Sequence, residues 1–412
     1  MNKLNIELIP LRNAISWEVT TTFDLIIRIT PPARGKIKER CPLNLGLVID
    51  RSGSMSGEKL KSALQAARFL ILQLLPTDRL SVVSYDNKVE TLVPNTLIEN
   101  KESILEKINA LTPGHTTALH EGWVEGATQV SQYLQPEALN RVLLLSDGLA
   151  NVGETNPDVI ATNVRGLAEY GVSTSTLGIG DDYNEDLMEA MANSGEGNYY
   201  YIENPASLET IFQNELRGLM ATVGQKVTLN LTPQTGIILE EVFNDFETNT
   251  NGDYKLPNLV IGNELNIAVR FKVPPTQTIE NLFKIRLNWQ DLNHSQQQEV
   301  RALDLPSVSK QELDNYPFNA EVREKVIQLQ TARAKEEAIR SFDQKNYAAA
   351  QKSLEEAKNL VESAPIFDFK EVNPERDEIE ELKSHLNNQE DKKFRKKASY
   401  QSYNRRRGQS SQ

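Results

Sequence analysis

Residues 45–55, LGLVIDRSGSM, constrain this chain more than any other stretch. An apolar run closed by Asp50 reads as a strand buried on both faces, the condition of a strand inside a parallel sheet. Its carboxyl end opens on the edge where open α/β sheets bind ligands. There Asp50, Ser52 and Ser54 stand close together in a short loop. One carboxylate with neutral hydroxyls is a donor set suited to a hard cation such as Mg2+.

The surrounding sequence supports the sheet. Residues 41–221 alternate strands (43–50, 79–85, 140–146, 172–179, 198–202, with a short edge strand at 89–92) and helices (58–75, 98–110, one running through Tyr133, 157–170, 187–194, 208–221). That alternation predicts an α/β, Rossmann-like domain. Residues 1–36 and 222–305 instead show short polar/apolar alternation between Gly, Pro and Asn turns, the pattern of an antiparallel β-sandwich. Together they predict one β-sandwich in which the α/β domain is inserted. Residues 310–385 return to helical periodicity, with a break near 343–346. The pair around that break reads either as one tetratricopeptide-type hairpin or as two helices packed on the β-domain. Residues 386–412, rich in Lys and Arg, read as a basic, disordered tail.

Composition narrows the function classes. The 412 residues contain no run of ~20 apolar residues, which speaks against a membrane span. Cys41 is the sole cysteine, so no disulfide forms within the chain and a cysteine zinc site is disfavoured. The first residues lack the apolar core of a signal peptide, and the expected compartment is the cytoplasm. A net charge of −12 disfavours nucleic acid as a partner except through the basic tail.

Three segments carry the oxygen atoms of the expected site. They are Asp50-Arg51-Ser52-Gly53-Ser54, the loop GHTTALHEG with Thr117 and neighbouring Thr116, and Ser146-Asp147-Gly148 after the run VLLLS. A parallel sheet brings such strand ends to one edge. Two carboxylates roughly balance a divalent ion, and hydroxyls fill further positions without neutralising it.

The set D-x-S-x-S, then G-x-x-T, then S-D-G resembles the von Willebrand factor type A domain across residues 41–205. The resemblance implies a metal-ion-dependent adhesion site made by Asp50, Ser52, Ser54, Thr117 and Asp147. Mg2+ is the expected ion, with Ca2+ or Mn2+ as substitutes. It further implies binding to a protein partner whose Asp or Glu completes the metal shell. Many intracellular bacterial relatives work with AAA+ ATPases as adaptors, so by family analogy the resemblance offers an AAA+ ATPase as a partner. A shift of the last helix of the domain is a further family property. The interrupted β-domain is similar to that of calcium-activated chloride channel-like and inter-alpha-trypsin-inhibitor-like relatives.

The alternative readings are a structural or oligomer-forming protein with a purely structural metal, and a magnesium-dependent hydrolase. The chain lacks a P-loop and an H-E-x-x-H motif, and Met55 stands where a G-x-S-x-G elbow needs its Ser. His115 and His120 flank the Thr117 loop but read as loop or cap residues. The chain is therefore expected not to be an enzyme.

Overall fold

The computed structural model describes residues 4–32, 40–135, 138–276, 280–292, 294–362 and 374–408. The chain opens with strands β1 (Asn5–Pro10), β2 (Ile15–Ser16) and β3 (Thr21–Thr30). It then runs through β4 (Leu43–Asp50), α1 (Glu58–Gln73), β5 (Arg79–Tyr85), β6 (Val89–Leu97), α2 (Lys101–Asn109) and α3 (Leu119–Ser131). The α/β region continues with β7 (Leu139–Ser146), α4 (Pro157–Glu169), β8 (Val172–Ile179), α5 (Glu185–Ser194), β9 (Glu196–Ile202) and α6 (Leu208–Met220). Strands β10 (Thr222–Pro233), β11 (Ile238–Val242), β12 (Tyr254–Leu256), β13 (Leu259–Val260), β14 (Leu265–Val273), β15 (Phe283–Asp291), β16 (Gln296–Leu303) and β17 (Ser307–Val308) follow. Helices α7 (Ala320–Asp343), α8 (Tyr347–Glu362), α9 (Pro374–Asn387) and α10 (Asp391–Arg406) complete it.

Two compact units result: residues 38–221, and residues 1–37 with 222–412. In the first, six strands lie in the order β6-β5-β4-β7-β8-β9. All neighbours are parallel except the edge strand β6. Every residue of β4 and β7 is buried, because helices cover both faces. On one face Leu45, Leu47, Leu143 and Leu145 share a core with Leu60, Ala63 and Leu70 of α1, Ile104 of α2 and Phe212 of α6. On the other, α3 lies against β4, β5 and β7. Gly122 and Gly126 of α3 make that approach possible: a Cβ at Gly126 would sit 2.2 Å from Val48, and one at Gly122 would sit 2.6 Å from the Tyr85 ring. Strand β6 runs five residues beyond the sequence expectation and contains Pro94. An edge strand tolerates a missing N–H there.

The second unit contains two main antiparallel sheets, β1-β3-β14-β11 and β12-β10-β15-β16, with β13 paired to β10. Inward residues of both, including Leu25, Ile27, Val269, Phe271, Leu229 and Ile285, form one apolar cluster. The short parallel pair β2–β17 escaped the sequence reading, since two residues carry no periodicity. Val322, Val326 and Leu329 of α7 pack on Ile26, Phe243 and Ala268, so the helical region lies on the β1-β3-β14-β11 sheet.

The expected disordered tail is corrected. Residues Asp391–Arg406 form α10, whose Phe394 and Ala398 are fully buried in the core of α7–α9. Its cations pair with acids of the neighbouring helices: Arg395 with Asp343 at 2.9 Å, Lys397 with Glu381 at 2.6 Å, Arg406 with Glu336 at 2.6 Å, and Arg405 with Glu375. Four of the charges that look like part of a solvated tail in the sequence are thus paired in the fold.

Candidate functional site

The register of the central sheet assembles the site. Leu43↔Leu139 through Ile49↔Leu145 pair in parallel, so Asp50 and Ser146 end neighbouring strands at the same edge. The chain then turns into the 52–56 loop and the 147–156 loop. The third loop is tied in by backbone bonds, with Gly53 N donating to His115 O (2.8 Å) and Gly114 N to Arg51 O (2.6 Å). Asn151 clamps Thr117 from the other side: its Oδ1 accepts from Thr117 N at 2.9 Å, and its own N–H donates to Thr117 O at 3.2 Å.

All five expected residues converge. Asp50, Ser52, Thr117 and Asp147 are buried, while Ser54 is exposed. Asp50 Oδ1 accepts from Ser52 N and Oδ2 from Ser146 Oγ, each at 2.8 Å. Ser52 Oγ lies 3.1 Å from Ser54 Oγ, which donates to Asp147 Oδ1 at 2.7 Å. A Cβ on Gly148 would lie 3.4 Å from both Ser54 Oγ and Thr117 Oγ1, so Gly148 marks the point where the three loops meet. Burial pushes the Asp50 carboxyl up to about 6, against the pull of its bonds from Ser52 and Ser146, and Asp147 adds to the rise.

The sequence reading missed Lys59. Its Nζ donates to Asp147 Oδ2 at 2.6 Å from the first turn of α1. Gly180, at φ +74°, lies next to that ammonium, and its left-handed backbone favours glycine there. Lysine in a first helical turn looks like any solvated residue, and no periodicity points it at Asp147. Asn151 was missed for a similar reason, since polar loop residues carry no signal of their partner.

This arrangement corrects the magnesium centre. Among the described residues, no group of three or more His, Cys, Asp or Glu side chains is placed to hold a metal ion. The two carboxylates have their oxygens engaged by Ser52, Ser146, Ser54 and Lys59, and the lysine supplies the compensating positive charge. The residues therefore do not fit the expected Mg2+, Ca2+ or Mn2+ ion. Metal-dependent adhesion falls with it, as do the structural-metal and magnesium-hydrolase alternatives.

The histidines have modest roles. His120 stacks on Trp123 with ring centroids 6.0 Å apart, and its Nε2 lies 3.2 Å from Asn163 Nδ2. The closing helix α6 is fixed to the sheet by its own buried Glu215. Glu215 accepts from Arg141 Nη1 (2.8 Å), Ser175 Oγ (2.6 Å), Asn198 Nδ2 (2.8 Å) and Tyr200 Oη (2.6 Å). Burial alone would raise its pKa, but the Arg141 charge and these donors outweigh it and hold the carboxyl below its ordinary range.

Residues 44–214 match the von Willebrand factor type A domain family. An uncharacterized protein of Synechocystis sp. is 34% identical over 203 residues, 48% of this chain and 47% of that protein. Inter-alpha-trypsin inhibitor heavy chain H3 of Homo sapiens is 25% identical over 311 residues, 64% of this chain and 34% of that protein. These matches span less than half the length of either relative. A von Willebrand factor type A structure from Catenulispora acidiphila superposes with a TM-score of 0.71 at 17% identity, covering 92% of this chain and 90% of that one. The ArnB paralog VWA2 from Sulfolobus acidocaldarius does so with 0.62 at 19% identity, covering 97% and 96%. No helix among the described residues is long and apolar enough to cross a membrane.

Proposed function

Residues 44–214 belonging to the von Willebrand factor type A domain family, we propose that this domain is a protein-docking module working through the loop edge of its sheet. One observation supports this above the others. Three loops from separate parts of the chain are locked on a buried polar base of Asp50, Ser52, Thr117 and Asp147, while Ser54, His115, Thr116 and Leu149 stand exposed above it. Leu149 is 56% exposed beside Gly148, an apolar side chain on an otherwise polar rim. A preorganised rim with an apolar anchor is what a protein interface needs, because little ordering entropy remains to be lost on binding.

The test is a quantitative affinity capture from the source cell, comparing the full chain with Leu149→Arg. Loss of the captured set in the variant, at unchanged melting temperature, is the expected result. An identical set from both proteins would remove the loop edge from consideration.

We also read the two antiparallel sheets of the other unit as a β-sandwich into which the type A domain is inserted; their shared apolar cluster supports this. The cytoplasm as compartment, with an AAA+ ATPase as the partner class, remains part of the proposal. Cell fractionation tests the first, and the identity of the captured proteins tests the second.

A further inference from the structure

A groove of about 350 Å³ runs along the outer side of α1. Leu60, Leu64 and Pro113 form its apolar lining, Asn109 closes one side, and Lys61 and Arg68 stand on the rim. Its α1 residues fall at helical spacing from Gly57 to Arg68, so the stripe extends for roughly three turns, about 16 Å. It exists because α1 is only partly covered. Leu60, Ala63, Ala67 and Leu70 face the sheet, but Leu64 lies at the border of the buried face and stays half-buried. Helix α2 stops at Asn109, before it could cover that border.

The charges choose the occupant. Arg68 is exposed and has no ion-pair partner among the described residues. Lys61 has Glu58 at 3.3 Å, but both are largely exposed, and such a pair is held weakly. The two cations are seven residues apart, two turns of α1 and about 10 Å along its axis. A helix laid in the groove meets them with two acidic residues at i and i+7 and fills the lining with apolar residues at i+3 and i+4. We propose that this groove docks an acidic amphipathic helix of a partner protein with that spacing. The inference goes beyond the loop-edge reading above, because it assigns a second docking surface to the same domain.

Peptides selected from a random display library against the full chain provide the test. The expected peptides carry Asp or Glu two turns apart around a Leu or Phe pair. Their affinity is expected to fall about tenfold or more in Leu64→Arg and in Arg68→Glu, and to weaken with salt. Exchanging the peptide acids for Lys is expected to restore binding to the Lys61→Glu, Arg68→Glu double variant. That rescue separates recognition from a folding defect, which melting curves of each variant also monitor. Selections that yield no peptide, peptides without acidic residues, or peptides indifferent to Leu64→Arg would overturn the proposal. So would a concentration-dependent dimer abolished by Leu64→Arg, which would assign the groove to a second copy of this chain. The peptides are expected to bind Leu149→Arg normally. A failure here with loss of capture in Leu149→Arg would remove the groove alone and leave the loop edge standing.

Discussion

Lys59 shows how one side chain redirects the reading of a motif. Asp147 is fully buried, and a buried carboxylate needs a compensating charge. The ammonium at 2.6 Å provides it and ties the start of α1 to the end of β7. Lys59→Met is expected to cost about 1–3 kcal/mol, less than the roughly 3–5 of a fully buried pair because Lys59 keeps partial exposure to water. Urea unfolding monitored by tryptophan fluorescence measures it, and an unchanged midpoint would show that Asp147 is compensated elsewhere. Glu215 makes a second case. Its folded pKa lies below the ordinary 4.5, so its contribution is complete above that value and is lost as pH falls through the lower folded value. Glu215→Gln is expected to lower the unfolding midpoint at neutral pH and to flatten its decline in acid. Equal acid sensitivity in the two proteins would mean that other carboxylates govern the acid limb.

At the scale of elements, α10 separates composition from structure. Its sequence has almost no apolar stripe, and its charge density suggests a solvated chain. The fold supplies an acidic bed from α7 and α9, together with a pocket for Phe394 beside Phe342, at a ring separation of 5.2 Å. Phe394→Ala is expected to destabilise the unit by about 3–5 kcal/mol, the usual cost of deleting a buried ring. A free tail would show no loss, so a urea titration followed by far-UV circular dichroism decides between them. Helix α3 teaches the converse lesson. The sequence predicts a helix there although HEGWVEGA holds two glycines, and the fold shows their use: they let the helix press against Tyr85 and Val48. The two glycines lie four residues apart, on one face of the helix.

At the scale of the molecule, the chain leaves one compact unit at residue 37 and returns to it at 222. Among the described residues the α/β unit has its own apolar core of thirty buried residues, enough to expect independent folding. Expression of residues 38–221 alone is expected to give a soluble protein with a single cooperative thermal transition. Aggregation or a non-cooperative melt would show that the α/β unit depends on the remainder of the chain.

The sequence alone determined the alternation of strands and helices, the all-buried runs at β4 and β7, and the convergence of Asp50, Ser52, Ser54, Thr117 and Asp147 on one edge. All of these follow from periodicity and from the geometry of a parallel sheet, which are local or nearly so. Only the tertiary structure decided what neutralises Asp147, where the basic C-terminal segment goes, and which part of α1 stays uncovered. Each of those depends on the distance between charges or surfaces far apart in the chain. A residue's type declares its charge, but the fold chooses the partner that answers it.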